Sequence, residues 1–181
     1  MHSWSWDDIC TPKKEGGTGL GRVSDIVKVA GVRFVWRVCT SKNYWRGWMQ
    51  AHYLKGKHIS EAQCTLLDSG TWKWIIQSKT NTLQMLCKKV GNGQESQDTY
   101  IWLDSWLPMG KLLGHVDRAP SRTAKWMVSE IVVDGGSARR DPELLPIWNL
   151  ILQHIVLDIS VADSWYWTLT KTNTFSFSSA W

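Results

Sequence analysis

The 181-residue chain reads as an α+β fold, mainly α, with several short helices and two β-hairpins at about residues 86–106 and 165–177. Three observations point there. Apolar residues recur at three- and four-residue spacing in several stretches, the mark of helices with one buried face. Two other stretches place apolar and aromatic residues on either side of turn-forming segments, as hairpins do. Hydrophobic residues at 43 % and charged ones at 20 % are globular values, and 14 tryptophans exceed what a soluble surface carries. Most of these rings therefore belong in a core or an interface.

Taken in order, residues 11–22 hold Pro12, Gly16, Gly17, Gly19 and Gly21, too many turn formers for a regular element. Ser24 to Cys39 is apolar almost all round. Val32, Phe34, Trp36 and Val38 alternate with Arg33 and Arg37 as in a half-buried strand, yet the length without a central turn signal favours a helix capped by Ser24. Asn43 to Leu54 predicts a second helix with Trp45, Trp48, Met49 and His52 on one side, and Trp72 to Lys79 a short third. Leu86–Val90 and Tyr100–Trp106 flank a polar stretch opened by Gly91-Asn92-Gly93, residues that supply the positive φ of a tight turn. Residues 108–124, with Pro108, Gly110, Gly114 and Pro120, predict a linker or surface loop. Asp141 can cap a late helix, Pro142 fits its first position, and Leu144, Ile147, Trp148, Ile151, Leu152 and Ile155 follow at helical spacing. Trp165 to Leu169, the polar Thr170–Thr174, then Phe175-Ser176-Phe177 give the second hairpin.

Charge divides unevenly. Residues 1–113 hold 15 Lys/Arg against 9 Asp/Glu, an excess of +6, while residues 114–181 hold 6 against 7, or −1. A basic first part suits a polyanion, because neutralised phosphates release condensed counterions. The cations are scattered singly or in pairs such as Lys13-Lys14 and Lys88-Lys89, which is equally compatible with a solvated surface. Cys10, Cys39, Cys64 and Cys87 are widely spaced, with no C-x-x-C and no zinc-finger histidine, so reduced thiols in an intracellular protein are expected, the nucleus being one admissible location. No apolar run approaches the roughly 18 residues of a membrane span, and no signal-peptide pattern opens the chain, so no membrane association is expected.

Chemistry-bearing motifs fail at the residues that matter. Gly16–Val23 approximates a phosphate-cradling loop, but Arg22 stands where Lys is needed and Val23 lacks the magnesium-binding hydroxyl. Asp7-Asp8 lacks the converging strands of a two-metal site and reads as a helix cap or surface charge. His2, His52, His58, His115 and His154 have no Ser, Cys or Asp at recognisable catalytic spacing, and His154 reads as a core or boundary residue. No catalytic, cofactor-binding or metal-ligating residue is assigned, and no cofactor is expected. Tryptophans interleaved with cations can stack bases and hold phosphates, as single-strand binders do. The candidates for RNA or DNA contact are Lys13, Lys14, Arg37, Arg46, Lys55, Lys57, Lys73, Trp45, Trp48 and Trp72. Stacking on sugars gains nothing from the positive charge, and tryptophan as core filler remains the plainer alternative.

The ordered words of the chain resemble plant non-LTR (LINE-type) retrotransposon reverse transcriptase polyproteins. They are Ser5-Trp6-Asp7-Asp8-Ile9-Cys10, Pro12-Lys13-Lys14-Glu15-Gly16-Gly17, Tyr53-Leu54-Lys55-Gly56-Lys57, Trp72-Lys73-Trp74, Val90-Gly91-Asn92-Gly93, Trp102-Leu103-Asp104-Ser105-Trp106 and Phe175-Ser176. The resemblance covers almost the whole chain and matches the region between the reverse transcriptase domain and the zinc-binding domain. It departs at Ile26-Val27, where an aromatic-Asn pair is usual, and in a shortened stretch at Trp72–Lys79.

The resemblance implies that residues 1–113 form a basic, Trp-rich connector following a polymerase domain. Residues 114–181 would then be a helix and hairpin leading into a zinc-binding domain, both neighbouring domains being missing partners. It implies a non-catalytic fragment with residual RNA or DNA binding and no enzyme activity of its own, since the polymerase motif lies upstream in such proteins. The abrupt finish at Ser179-Ala180-Trp181 is what a truncated copy would show. The alternative is a Trp-rich protein–protein interaction module with no nucleic-acid role.

Overall fold

The computed structural model describes residues 5–11, 13–91, 99–133, 137–138, 141–154 and 163–180. The class is α+β, mainly α, as the periodicities predict. The first helix, α1 (Trp6–Ile9), exists because Ser5 and Asp8 cap each other: the Asp8 N–H donates to the Ser5 hydroxyl at 3.2 Å, and the Ser5 N–H donates to the Asp8 carboxylate at 3.1 Å. The Ser5 hydroxyl, which donates to the Asp8 carboxylate at 2.6 Å, and then the Ser5 N–H hold the Asp8 carboxyl below the usual carboxylate range. Asp8 is thus part of the cap, while Asp7 is a surface charge that reaches Arg22 at 3.5 Å. The glycine-rich segment folds back onto α1, with the Thr18 N–H donating to the Ile9 carbonyl at 3.0 Å. Gly19 adopts φ +72°, and a Cβ on Gly17 would lie 2.1 Å from the Thr11 carbonyl oxygen. The glycines serve a tight turn, not a phosphate cradle.

Helix α2 (Val23–Thr40) starts one residue earlier than expected; its N-cap is Arg22, without a side-chain bond, so Ser24 is not the cap. It packs on α4 (Gly70–Gln84), which Ser69 caps by accepting the Trp72 N–H at 3.2 Å, and which runs beyond the predicted end at Lys79. Gly31 permits this approach, because a Cβ there would stand 2.1 Å from the Ser78 hydroxyl. Between them, α3 (Tyr44–Met49) is capped by Asn43 and continues as a π turn over Gln50–Leu54. Lys55 (φ 49°) and Gly56 (φ 77°), both left-handed, end it. The predicted common face of this segment is divided: Met49 is buried and Trp45 half-buried, whereas Trp48 and His52 are exposed.

Both hairpin predictions need correction. Strand β1 (Leu86–Lys89) pairs antiparallel with the distant β6 (Ser164–Trp167), Leu86 facing Trp167 and Lys89 facing Ser164. Its expected partner segment instead forms a bridge from Tyr100 to Met127, followed by a small hairpin of β2 (Ser105–Leu107) and β3 (Gly110–Lys111). Residues 92–98 of the predicted turn lie outside the described residues. In the second case Phe175–Phe177 forms no strand. The Phe175 ring packs edge-on against Trp167 at 5.2 Å, and Phe177–Ser179 is a 3-10 turn. Residues 108–124 contain β3 and a 3-10 turn at Leu112–His115 before irregular chain. The short α5 (Val128–Ile131) leads into a third strand pair, β4 (Val132–Val133) with β5 (Ser137–Ala138). Asp141 caps the late helix as expected, accepting the Glu143 N–H at 3.0 Å; a 3-10 turn at Pro142–Leu144 leads into α6 (Leu145–His154). Ile155 and the side chain of His154 lie outside the described residues.

Two apolar clusters hold the fold. The first gathers Val35, Val38, Met49, Leu54, Trp72, Ile75, Leu86 and Trp167. The second gathers Ile101, Trp102, Trp106, Leu112, Val128, Leu144, Trp148 and Ile151. Each draws side chains from both sides of residue 113, so the change of charge there does not coincide with a break in packing. Several buried indoles have their one donor engaged: Trp102 donates to the Thr123 carbonyl at 3.0 Å, Trp106 to the Ile101 carbonyl at 2.8 Å and Trp167 to the Ser179 hydroxyl at 2.9 Å. Among the described residues no helix is long and apolar enough to cross a membrane.

Candidate nucleic-acid interface

The π turn after α3 produces the most distinctive surface. Trp48 remains 53 % exposed, and the His52 ring stacks on it with centroids 5.0 Å apart and planes 8° from parallel. Tyr53 meets both edge-on, at 5.6 Å from Trp48 and 4.8 Å from His52. Lys55 and Lys57 follow at once and are exposed. A cleft of about 400 Å³ opens beside them, lined by His52, Tyr53, Lys55, Lys57 and Asp68 among others. Exposed rings with adjoining cations are the elements of a single-strand binding surface.

The structure distributes the other candidates differently. Trp72 is 1 % exposed and stacks face-to-face on Tyr53 at 4.5 Å; it is a core residue and offers no face to a base. Trp45 is half-buried against Phe34, with the Arg37 guanidinium 5.4 Å from its ring centroid, so these two residues serve each other. The Lys73 ammonium donates to the Leu66 carbonyl at 2.7 Å. Lys13 and Lys14 are exposed on a separate 3-10 turn at Lys13–Glu15. Arg46 is half-buried and lines a cavity on the inner side of α3. The surface that gathers is therefore Trp48, His52, Lys55 and Lys57, and of these His52 was absent from the sequence candidates. Its signal was available: i and i+4 on one helix bring side chains together.

A second constellation was not legible from spacing. His58 and Asp104, both buried, meet at 3.0 Å between imidazole Nε2 and carboxylate Oδ1. The Ser60 N–H donates to His58 Nδ1 at 3.2 Å, which places the ring proton on Nε2, from where it is donated to Asp104. The Ser60 hydroxyl lies 2.6 Å from the same Nδ1, and the Tyr100 N–H donates to the other Asp104 oxygen at 2.8 Å. Ser, His and Asp thus stand in line, with the ring acting as N-cap of the 3-10 turn Ile59–Glu61. The Lys79 ammonium supports that turn from below, donating to the carbonyls of Ser60 and Ala62, and burial holds its pKa below the ordinary lysine value. The line ties the residue that follows the 53–57 word to the 102–106 word.

Cys10, Cys39, Cys64 and Cys87 are free thiols. Burial, with a smaller push from the Asp104 charge, raises the Cys39 thiol to about 12, against weaker pulls from Arg46, Lys88 and Lys111. Among the described residues no three His, Cys, Asp or Glu side chains gather closely enough to hold a metal ion.

No family model and no solved structure matches the chain. One curated relative is an Arabidopsis thaliana protein named "Putative ribonuclease H protein", 26 % identical over 196 aligned residues. The alignment covers 100 % of this chain and 30 % of the relative, so the chain spans about a third of that protein's length. The chain is thus similar, from end to end, to part of a plant protein named for a ribonuclease H.

Proposed function

We propose that the chain is a non-catalytic piece of a plant retroelement reverse transcriptase-type protein that retains weak binding to single-stranded RNA or DNA. The observation that carries this reading is the exposed Trp48–His52 stack beside Lys55 and Lys57. The rings supply faces for bases, and the ammonium groups supply charge for phosphates. Whole-chain similarity to a plant protein named for a ribonuclease H supports a nucleic-acid setting. The ordered words of the sequence support placement beside a polymerase domain.

The test is anisotropy titration of labelled single-stranded RNA and DNA, alongside a nuclease and polymerase assay. Trp48→Ala is expected to weaken binding by about tenfold, in line with the roughly 1–3 kcal/mol of a base–aromatic stack, with no turnover by either protein. Equal affinity in the variant and the parent would remove the reading.

One observation favours the interaction-module reading. Leu66 and Leu67 are 94 % and 99 % exposed on one loop tip, and apolar side chains so placed suit protein contact. Salt-insensitive binding to a protein, with none to RNA or DNA, would select it.

A further inference from the structure

Side chains four apart meet on one helical face, and the π turn that continues α3 brings His52 over Trp48. The imidazole rests flat on the indole, with the planes 8° from parallel, while Tyr53 meets it edge-on at 4.8 Å. A ring held by its face keeps its nitrogens at the edge. His52 is exposed, and among the described residues neither of its ring nitrogens has a hydrogen-bond partner. His58 is the opposite case, buried with Nε2 on Asp104 and Nδ1 on Ser60.

The charged groups that line the cleft with His52 balance one another. Lys55 and Lys57 follow it in the chain, Glu61 belongs to the 3-10 turn Ile59–Glu61, and Asp68 lies just before α4. Asp68 accepts the Thr65 N–H at 2.6 Å, and this bond holds its carboxyl below the usual carboxylate range, with lesser help from the Thr65 hydroxyl, Lys73 and Lys55. Asp68 therefore stays ionised at mildly acid pH and offsets part of the Lys55 charge. Glu61 accepts the His58 N–H at 3.4 Å, and the Tyr53 phenol shares a hydrogen bond with Ser69. Two ammonium groups against two carboxylates leave the cleft without a formal excess of charge. Of these residue types, imidazole is the one that changes charge between about pH 5 and pH 8.

We infer that His52 makes the binding of single-stranded RNA or DNA proton-linked: its imidazolium, held on the Trp48 face, contacts a strand phosphate, and affinity rises as pH falls. The inference rests on the proposed nucleic-acid reading and adds to it the regulation of the same surface. The indole face accommodates the cation through its quadrupole. An imidazolium donates from both nitrogens, whereas the neutral ring has one donor. The phosphate attracts the imidazolium and not the neutral ring, so the complex holds the proton more tightly than the free protein does. Binding therefore takes up a proton, and by linkage it strengthens as protons become more abundant. At higher pH the stack, Lys55 and Lys57 remain, and binding weakens without vanishing.

Anisotropy titration of a labelled oligouridylate, whose bases keep their charge over this range, tests this at about pH 5.5 and about pH 8. The full chain is expected to bind about three- to fivefold more tightly at the lower pH. Its salt slope should also be steeper there by about 0.7, the mark of one further phosphate contact on a single strand. His52→Gln, which keeps a polar edge and loses the charge, should show neither change. His52→Arg, whose planar cation can stack on Trp48 without titrating, should bind at both pH values as the parent does at the lower one. His115→Gln, at an exposed position on the 3-10 turn Leu112–His115, should respond to pH as the parent does. Denaturant unfolding at each pH sets the comparison within the folded range. Equal affinity and equal slope of the parent at both pH values would overturn the inference and leave the nucleic-acid reading standing. A pH response that persists in His52→Gln would overturn it as well, by assigning the proton to another group. Absence of binding at either pH would remove both readings.

Discussion

At the residue scale, burial decides which of several like side chains acts. Trp48 and Trp72 differ little in sequence context, yet one is more than half exposed and the other is sealed against Tyr53. Trp72→Ala is expected to lower the unfolding free energy by about 3–5 kcal/mol, whereas Trp48→Ala should change it by no more than about 0.5 kcal/mol. Urea unfolding of both variants checks this, and comparable losses would refute the assignment of core and surface. Cys39 gives a pH signature. Its folded thiol keeps its proton up to about 12, while an unfolded thiol titrates near about 8.5. The folded state therefore binds more protons between these values. This contribution to stability is complete below about pH 8.5 and falls as pH rises, by about 1.4 kcal/mol per unit. The loss of stability between pH 8 and 10 should be smaller in Cys39→Ala than in the parent, measured by denaturant midpoints at fixed ionic strength.

At the element scale, the helices were legible and the strand partners were not. Asn43 and Asp141 announce their helices through capping side chains, and of the apolar series Leu144 is buried in the 3-10 turn while Ile147, Trp148 and Ile151 are buried on α6. Local chemistry of this kind is written within a few residues. The pairing of Leu86–Lys89 with Ser164–Trp167 is not, because alternation fixes which face a strand buries and says nothing about its neighbour. The π turn was hidden for a similar reason, since its apolar pattern differs little from that of an α-helix; only Lys55-Gly56 signalled the end. The candidate surface was half legible. Trp48, Lys55 and Lys57 were found from their interleaving, while Trp72 was misassigned because aromatic spacing cannot distinguish a platform from a core ring. The α2–α4 contact yields a sharp test. Gly31→Val places a side chain where Ser78 already lies 2.1 Å from an ideal Cβ, so the helices must separate at a cost of about 1–3 kcal/mol. A thermal midpoint equal to the parent's would mean that the two helices do not approach as closely as described.

At the scale of the whole molecule, two apolar clusters drawing on both halves of the chain set one exposed aromatic surface beside cations. The net charge of +5 favours approach of a polyanion, but general attraction would not distinguish Lys55 and Lys57 from other cations. A local footprint does. The most direct measurement is the slope of log affinity against log salt for a single-stranded RNA, compared between the parent chain and the double variant Lys55→Gln/Lys57→Gln. Each lost phosphate contact should reduce the magnitude of the slope by about 0.7, so the account predicts a difference of about 1.4 between the two proteins. An unchanged slope, or no binding by the parent protein at low salt, would contradict it.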